Sequence, residues 1–200
     1  DQPAPGQLMS VQTITILAAA IDNLDEHFAT LGDAGTFGVI ERHYQLLDQA
    51  ARRHRGTIVK FAPDAVIASF ADPAGALRAA LDTLGTLRHE ASQRAEELGK
   101  PPIPTRLKIA LHRGPALVTT LQGRLDYFGT TERSAAILAQ RAAAGDLLVT
   151  DALSGDAALA DVVAEHQLEV ELTSPEVKLD RISIVERLQL PSNSSLEQDR

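Results

Sequence analysis

Apolar and polar positions along this chain follow two periods, one typical of strands and one typical of helices. Val11–Ile21 is a mostly apolar, β-rich run that predicts a buried strand. Asp25 follows as a candidate cap of a short helix. Thr36–Arg55 predicts a longer helix that ends at Gly56 as a C-terminal cap. The apolar positions of its predicted buried face are Phe37, Ile40, Tyr44, Leu47 and Ala51.

A predicted hairpin follows this helix. Thr57–Phe61 and Ala65–Phe70 are β-rich runs, and Pro63-Asp64 separates them as a turn. Asp72-Pro73 then begins a second long helix, because proline is favoured at an early helical position. The apolar stripe of that helix consists of Leu77, Leu81, Leu84 and Leu87, and the helix fades near Gly99.

The second half of the chain predicts further strands and one more helix. In order, these are a strand at Arg106–His112, a turn at Arg113-Gly114-Pro115, a returning strand at Ala116–Leu121, a polar loop at Gln122–Tyr127, a helix at Thr131–Ala144, a strand at Asp146–Thr150, and a closing β pair at His166–Leu172 and Ile182–Leu190. Together the elements predict an α/β sandwich with helices over an antiparallel-rich sheet.

Composition bounds the size of the domain and excludes several kinds of partner and site. The chain has 200 residues, which suits one domain over residues 11–190, with a linker at 1–10 and a disordered tail at 191–200. A net charge of −8 and an aromatic content of 4% argue against a nucleic-acid partner. Cysteine is absent, which excludes disulfides and thiolate metal sites. No apolar run reaches the length of a membrane span, so we predict a cytoplasmic setting. The chain does not begin with Met, and we expect it to be a piece of a larger protein.

The hairpin and its flanking segments resemble the class III adenylyl/guanylyl cyclase homology domain. Gly56–Phe70, GTIVKFAPDAVIASF, is similar to the family pattern G-T-V-x-K-F-x-G-D-A-V-x-A-x-F. Val11–Asp25 resembles the opening strand and phosphate loop, and Leu111–Pro115 the G-x-H-x-G-P segment. Leu125–Thr131 resembles the Y-D-x-x-G-D-T segment, in the D-Y-F-G-T-T form of some bacterial members. The matches keep the family order from Val11 to Leu188.

This resemblance implies a fold, an assembly and a set of roles. The fold is the ferredoxin-like βαββαβ sandwich with a C-terminal β pair. Two such domains pair head to tail and hold two metal ions, Mg or Mn, when a nucleoside triphosphate binds. By resemblance, Lys60 and Asp126 are the residues that read adenine, and Asp64 is the second metal-binding aspartate.

Several positions depart from the family pattern. Ala20 stands where the first metal-binding aspartate belongs, Arg133 where the ribose-positioning asparagine belongs, and Ile137 where the transition-state arginine belongs. In the phosphate loop, Asn23-Leu24-Asp25 replaces G-F-T, and asparagine suits a position with positive φ. Asp22, Asp25 and Glu26 are expected to repel a triphosphate. Asp22 is also a candidate substitute for the missing metal ligand, if the first strand continues to it.

These departures favour a degenerate, catalytically inactive cyclase homology domain that serves in signalling as a regulatory dimerisation and purine-nucleotide-binding module. The partner is a second copy, head to tail, or another cyclase domain. One alternative is an active, atypical adenylate cyclase that converts ATP to cyclic AMP and pyrophosphate. Another is a plain dimerisation module without a ligand. Nucleotide titration and a cyclase assay separate the three.

Overall fold

The structure is a computed structural model that describes residues 10–62, 64–99, 103–121, 124–153, 155–173 and 185–189. Within these ranges the elements are β1 (Ser10–Ile21), α1 (Leu24–Arg53), β2 (Thr57–Ala62), β3 (Ala65–Phe70), α2 (Pro73–Leu98), β4 (Leu107–Leu121), β5 (Arg124–Phe128), α3 (Thr130–Arg141), β6 (Leu147–Thr150), α4 (Ala157–Glu165), β7 (Glu169–Thr173) and β8 (Val185–Gln189). The predicted linker and tail fall almost wholly outside the described residues, although Ser10 already belongs to β1.

The described strands form one mixed sheet in the order β2-β3-β1-β4-β6-β8-β7, and β5 pairs with the far end of β4. Every neighbouring pair is antiparallel except β4 and β6, which run parallel. β1 lies in the middle and pairs with β4 along its whole length, from Ser10 opposite Val118 to Ile21 opposite Leu107. The predicted α/β sandwich with a closing β pair is therefore confirmed.

Alternate residues of β1 face two separate layers of core. Leu17, Ala19 and Ile21 belong to the larger apolar cluster, to which α1 and α2 contribute. Ile14, Ile16 and Ala18 belong to the second cluster, to which α3 contributes. Helices therefore cover both faces of the sheet, and the period of two in β1 assigns each side chain to its layer. No described helix is both long enough and apolar enough to cross a membrane.

The predicted hairpin is confirmed. β2 and β3 pair antiparallel, with Ala62 opposite Ala65, and the register shifts between Ile58 and Lys60. Asp64 lies in the turn, while Pro63 lies outside the described residues. The helix predicted at Asp72-Pro73 is also confirmed, since the Asp72 carboxylate accepts a hydrogen bond from the Ala74 backbone nitrogen at 3.1 Å and Pro73 is the first helical residue.

The first helix differs from its prediction at its start. It begins at Leu24, with Asn23 rather than Asp25 at the capping position, and Gly32 breaks it with a φ of 66°. Phe37 is 65% exposed, so its assignment to the buried face is wrong. The buried stripe instead runs through Thr36 and His43. Adjacent residues are ~100° apart around a helix, which turns Phe37 away from the sheet.

Gly56 has a different role from the predicted helix cap. The left-handed residue after α1 is Arg55, with a φ of 60°. A Cβ atom at Gly56 would lie 2.3 Å from Cε1 of Phe70. Glycine is required here because the buried Phe70 ring packs directly on the backbone.

The predicted turn at Arg113-Gly114-Pro115 is wrong, because β4 runs through these residues as one strand. The twelve residues of β1 supply a pairing partner along this whole stretch, with Thr13 opposite Pro115. The predicted polar loop at Gln122–Tyr127 is also wrong over its described part, since β5 returns along β4. Sequence reasoning missed α4, which packs Leu159 and Val162 into the core.

Candidate functional site

The β1–β3 pairing brings together the two positions at which the resemblance places the metal-binding aspartates. Ala20 lies opposite Ala65, the residue that follows Asp64. The Asp64 carbonyl accepts a hydrogen bond from the Ile21 backbone nitrogen at 2.8 Å. The end of β1 and the hairpin turn are thus tied together, with a methyl group at one position and a carboxylate at the other.

The hairpin end is packed against α1 by aromatic contacts. The Tyr44 hydroxyl donates a hydrogen bond to the Ala62 carbonyl, and the Tyr44 and Phe61 ring centroids are 4.9 Å apart. Burial, and secondarily the negative charge of Asp64, raise the pKa of the Tyr44 hydroxyl. Asp64 is therefore held near a neutral phenol by the fold of the hairpin.

A lysine occupies the other side of Ala20. Lys108 of β4 lies opposite Ala20, so their side chains share one face of the sheet. Its ammonium donates to the Gln140 carbonyl in the last turn of α3 at 2.9 Å and lies 3.3 Å from Oδ1 of Asp22. A cation is favoured at a helix C-terminus, which gives Lys108 a structural reason to be there.

The acidic groups of the phosphate loop are paired within the chain. Besides Lys108, Asp22 has Arg106 at 3.6 Å, and the same guanidinium lies 3.2 Å from Glu26. These ion pairs neutralise part of the charge expected to repel a triphosphate. They also engage the Asp22 carboxylate, the candidate substitute metal ligand, with two cations.

Asn23 anchors this loop to the segment before β4. Its φ is −106°, so the expected positive φ is not adopted. Its side-chain amide donates to the Pro104 carbonyl at 3.0 Å, and its side-chain oxygen accepts from the Arg106 backbone nitrogen at 3.0 Å. The two side-chain hydrogen bonds therefore explain the asparagine at this position, and a positive φ does not.

Lys60 is joined to α3 by an ion pair. Its ammonium lies 2.6 Å from Oε1 of Glu132. The Lys60 side chain is 47% exposed, whereas that of Glu132 is only 11% exposed. Lys60, to which the resemblance assigns adenine recognition, thus has the nearly buried Glu132 carboxylate as its partner.

Two sequence motifs meet at the start of α3. The Thr131 hydroxyl donates to the Pro115 carbonyl at 2.6 Å. A Cβ atom at Gly114 would lie 2.6 Å from that hydroxyl oxygen, so glycine permits the contact. Gly129, with a φ of 145°, precedes the helix.

The remaining predicted site residues lie on or near α3. Arg133 is exposed and Ile137 is half-buried, one helical turn further along. Asp126 lies on β5 opposite Thr119, but its side chain is outside the described residues. The described part of the chain holds no group of three or more His, Asp or Glu side chains suited to a metal ion.

Sequence reasoning missed Glu132, Arg106 and Lys108. Glu132 has an ordinary position for an acidic residue, in the first turn of a helix. Arg106 and Lys108 alternate at the start of a strand, where the sequence shows which face they share but not the loop they contact. In each case the partner is distant along the chain and becomes visible only in the sheet register.

Comparison with known proteins concerns the fold. No family model and no curated protein matches the chain. Among solved structures, it is similar to the adenylyl cyclase CyaB from P. aeruginosa, with a TM-score of 0.69, 16% identity, and coverage of 92% of this chain and 97% of that one. The guanylate cyclase domain of RhGC from Catenaria anguillulae, in complex with GTP, gives a TM-score of 0.69, 15% identity, and coverage of 92% and 100%.

A further similar structure is the non-canonical dimeric guanylyl cyclase domain of RhoGC from the aquatic fungus Blastocladiella emersonii. It gives a TM-score of 0.66, 13% identity, and coverage of 92% of this chain and 98% of that one. The similarity spans nearly the whole chain in each comparison. The chain therefore has the fold of the class III adenylyl and guanylyl cyclase catalytic domains.

Proposed function

We propose that this chain is a cyclase-fold domain that does not catalyse nucleotide cyclisation and acts as a dimerisation module in cytoplasmic signalling. The observation that carries the proposal is the pairing of Ala20 with Lys108. Where the resemblance places a metal-binding carboxylate, this chain has a methyl group, and the neighbouring strand carries an ammonium on the same face.

The described residues do not fit a pair of divalent ions. Mg²⁺ and Mn²⁺ prefer carboxylate and other oxygen ligands, and two-metal catalysis requires ligands that hold both ions close together. Asp64 is one such ligand, but Ala20 offers none. Asp22 is within 3.6 Å of Arg106 and 3.3 Å of Lys108. A metal ion at Asp22 would have to displace these cations, and we derive no catalytic step through a metal.

Two further departures oppose catalysis. Arg133 has no acceptor group and cannot replace an asparagine amide that positions ribose. Ile137 cannot stabilise the negative charge that develops on a transferred phosphate. Loss of one such donor costs about 10²–10³ in rate in comparable sites. The losses are not additive, but each one removes a different part of the reaction.

Pairing with a second domain does not restore a complete site. Two copies of this chain would bring the same substitutions to both interface sites. In a heterodimer with a complete cyclase domain, this chain would supply Lys60 and Asp126 to one interface site, but not the asparagine and arginine that belong there. To the other site it would supply Asp64 without the first metal-binding aspartate. The proposal therefore holds for a homodimer and for a heterodimer.

Dimerisation in a head-to-tail, two-fold arrangement is the expected working state. Support comes from the fold, because the guanylyl cyclase domain from Blastocladiella emersonii is a dimer, although a non-canonical one. Large apolar side chains are exposed both on α1, among them Phe28 and Leu31, and on strands, where they are Val11, Phe61, Val170 and Leu172. Light scattering at high micromolar concentration should show a dimer, and monomer alone would contradict this part of the proposal.

The catalytic part of the proposal is tested by incubating the purified chain with ATP or GTP and either Mg²⁺ or Mn²⁺. We expect no cyclic nucleotide above background. A residual purine pocket at Lys60 and Asp126 is tested separately, by calorimetric titration with adenosine, AMP and ATP at millimolar concentration. We expect at most weak binding of these adenine ligands.

A further inference from the structure

The Lys60–Glu132 ion pair joins two elements that are distant in the sequence. Lys60 lies on β2, at one edge of the described sheet, and Glu132 lies in the first turn of α3. The 2.6 Å separation of Nζ and Oε1 is that of a short, charge-assisted hydrogen bond. Among the described residues, only Lys60 forms a hydrogen bond with the Glu132 carboxylate.

We infer that Glu132 is a built-in competitor for Lys60, so that the chain's own carboxylate closes the purine pocket of this domain. This inference rests on the proposed function, because it concerns the residue through which such a domain would hold a base. It goes beyond that function by naming what keeps nucleotides out. It also identifies Glu132 as a specificity-determining residue that the family resemblance does not supply.

Two acceptors compete for the one ammonium of Lys60. A purine offers a neutral ring nitrogen or carbonyl, whereas Glu132 offers a carboxylate. Both hydrogen bonds have the charged ammonium as donor, but only the contact with Glu132 adds the Coulomb attraction between two opposite charges. Glu132 is also already in place, since α3 is docked on the sheet, and a free nucleotide must lose its translational and rotational freedom to bind.

Burial strengthens this preference. The Glu132 side chain is 11% exposed, so its carboxylate has lost most of its water and depends on Lys60 for compensation. A base that captured Lys60 would leave this carboxylate buried without its partner, which is costly. Binding a purine at Lys60 therefore requires the Glu132 carboxylate to move into water.

Calorimetric titration of the full chain with adenosine tests this inference, because adenosine carries no phosphate and reports only on base and ribose contacts. Glu132→Gln removes the carboxylate charge while keeping the shape of the side chain. We expect this variant to bind adenosine at least tenfold more tightly than the unmodified chain. Lys60→Ala in the Glu132→Gln background should abolish the gain.

The matched control is Glu90→Gln. Glu90 is the carboxylate partner of Arg42 in a cross-helix ion pair between α1 and α2, away from Lys60. The control substitution should leave adenosine affinity unchanged. If Glu132→Gln does not fold, Glu132→Asp, which draws the carboxylate back by one methylene, should give a smaller gain in the same direction.

Adenosine affinity that is unchanged in the folded Glu132 variant, or raised equally by Glu90→Gln, would overturn the inference. So would tight adenosine binding by the unmodified chain that depends on Lys60. These outcomes are separate from failure of the proposed function, which would appear as cyclic nucleotide synthesis by the unmodified chain. Absence of that synthesis together with no gain from Glu132→Gln would refute the inference alone.

Discussion

His43, one of two buried histidines on α1, makes the stability of the folded chain depend on pH. His43 is almost fully enclosed between α1 and the sheet, and neither ring nitrogen meets hydrogen-bond geometry with a partner. Burial lowers the pKa of His43 from 6.5 to about 4, while the nearby Ala19 backbone opposes the shift. The folded chain therefore accepts the neutral ring and excludes the protonated one.

The sign of the pH dependence follows from this lowered pKa. In the unfolded chain His43 takes up a proton near its ordinary pKa, whereas in the folded chain it stays neutral until the pH approaches 4. The stability associated with neutral His43 is complete above pH 6.5 and is lost as the pH falls towards 4. At about 1.4 kcal/mol per unit of pKa difference, the loss amounts to ~3 kcal/mol.

The assay is urea unfolding at a series of pH values between roughly 7.5 and 4, an interval that contains both the unfolded and the folded pKa of His43. His43→Leu should reduce the pH dependence by the contribution of His43, whereas His89→Gln, at an exposed position on α2, should leave it unchanged. His27 and His112, whose pKa values are also lowered by burial, keep their own contributions in both variants. Equal pH dependence in the unmodified chain and His43→Leu would refute the reasoning. It would show that other groups carry the acid sensitivity.

Three substitutions in the core and the helices have predicted effects on the free energy of unfolding, measured by chemical denaturation. Gly56→Ala should destabilise the chain by about 1–3 kcal/mol, because its Cβ would lie 2.3 Å from the ring of Phe70; a neutral effect would mean that the ring moves freely. Gly85→Ala, in α2 with nothing within 4 Å of the new Cβ, should stabilise by about 0.5–1 kcal/mol; destabilisation would contradict the open environment. Leu111→Ala, at a fully buried position of β4, should cost about 2–5 kcal/mol; a cost below ~1 kcal/mol would show that the core closes around the space.

The fold was predictable because its main signals are local. The β-rich runs on either side of Pro63-Asp64 predict the hairpin, and Asp72-Pro73 predicts the start of α2. The mostly apolar, β-rich run Val11–Ile21 predicts the central strand. Local reading was misleading at Gly114-Pro115, where turn residues lie inside a long strand. There a tertiary contact, the approach of Thr131, explains the glycine.

The candidate site was predictable only in its positions. Sequence comparison with the family pattern assigns Lys60, Ala20 and Asp64 to their places, and the register of β1 and β3 brings the last two together. The charged residues that surround these positions, Glu132 beside Lys60 and Lys108 beside Ala20, were not predictable. Glu132 and Lys108 contact residues that are distant along the chain. Locally, Glu132 is an ordinary acidic residue in the first turn of a helix, and Lys108 is an ordinary lysine at the start of a strand.

The central claim is that this cyclase fold does not perform cyclisation, and the most direct measurement is product formation by the unmodified chain. Purified protein in excess over ATP or GTP, with Mg²⁺ or Mn²⁺, should yield no cyclic nucleotide above a protein-free background by mass spectrometry. An active cyclase domain serves as the positive control. Saturable synthesis of a cyclic nucleotide that is abolished by Asp64→Ala would contradict the account and identify the chain as an atypical cyclase.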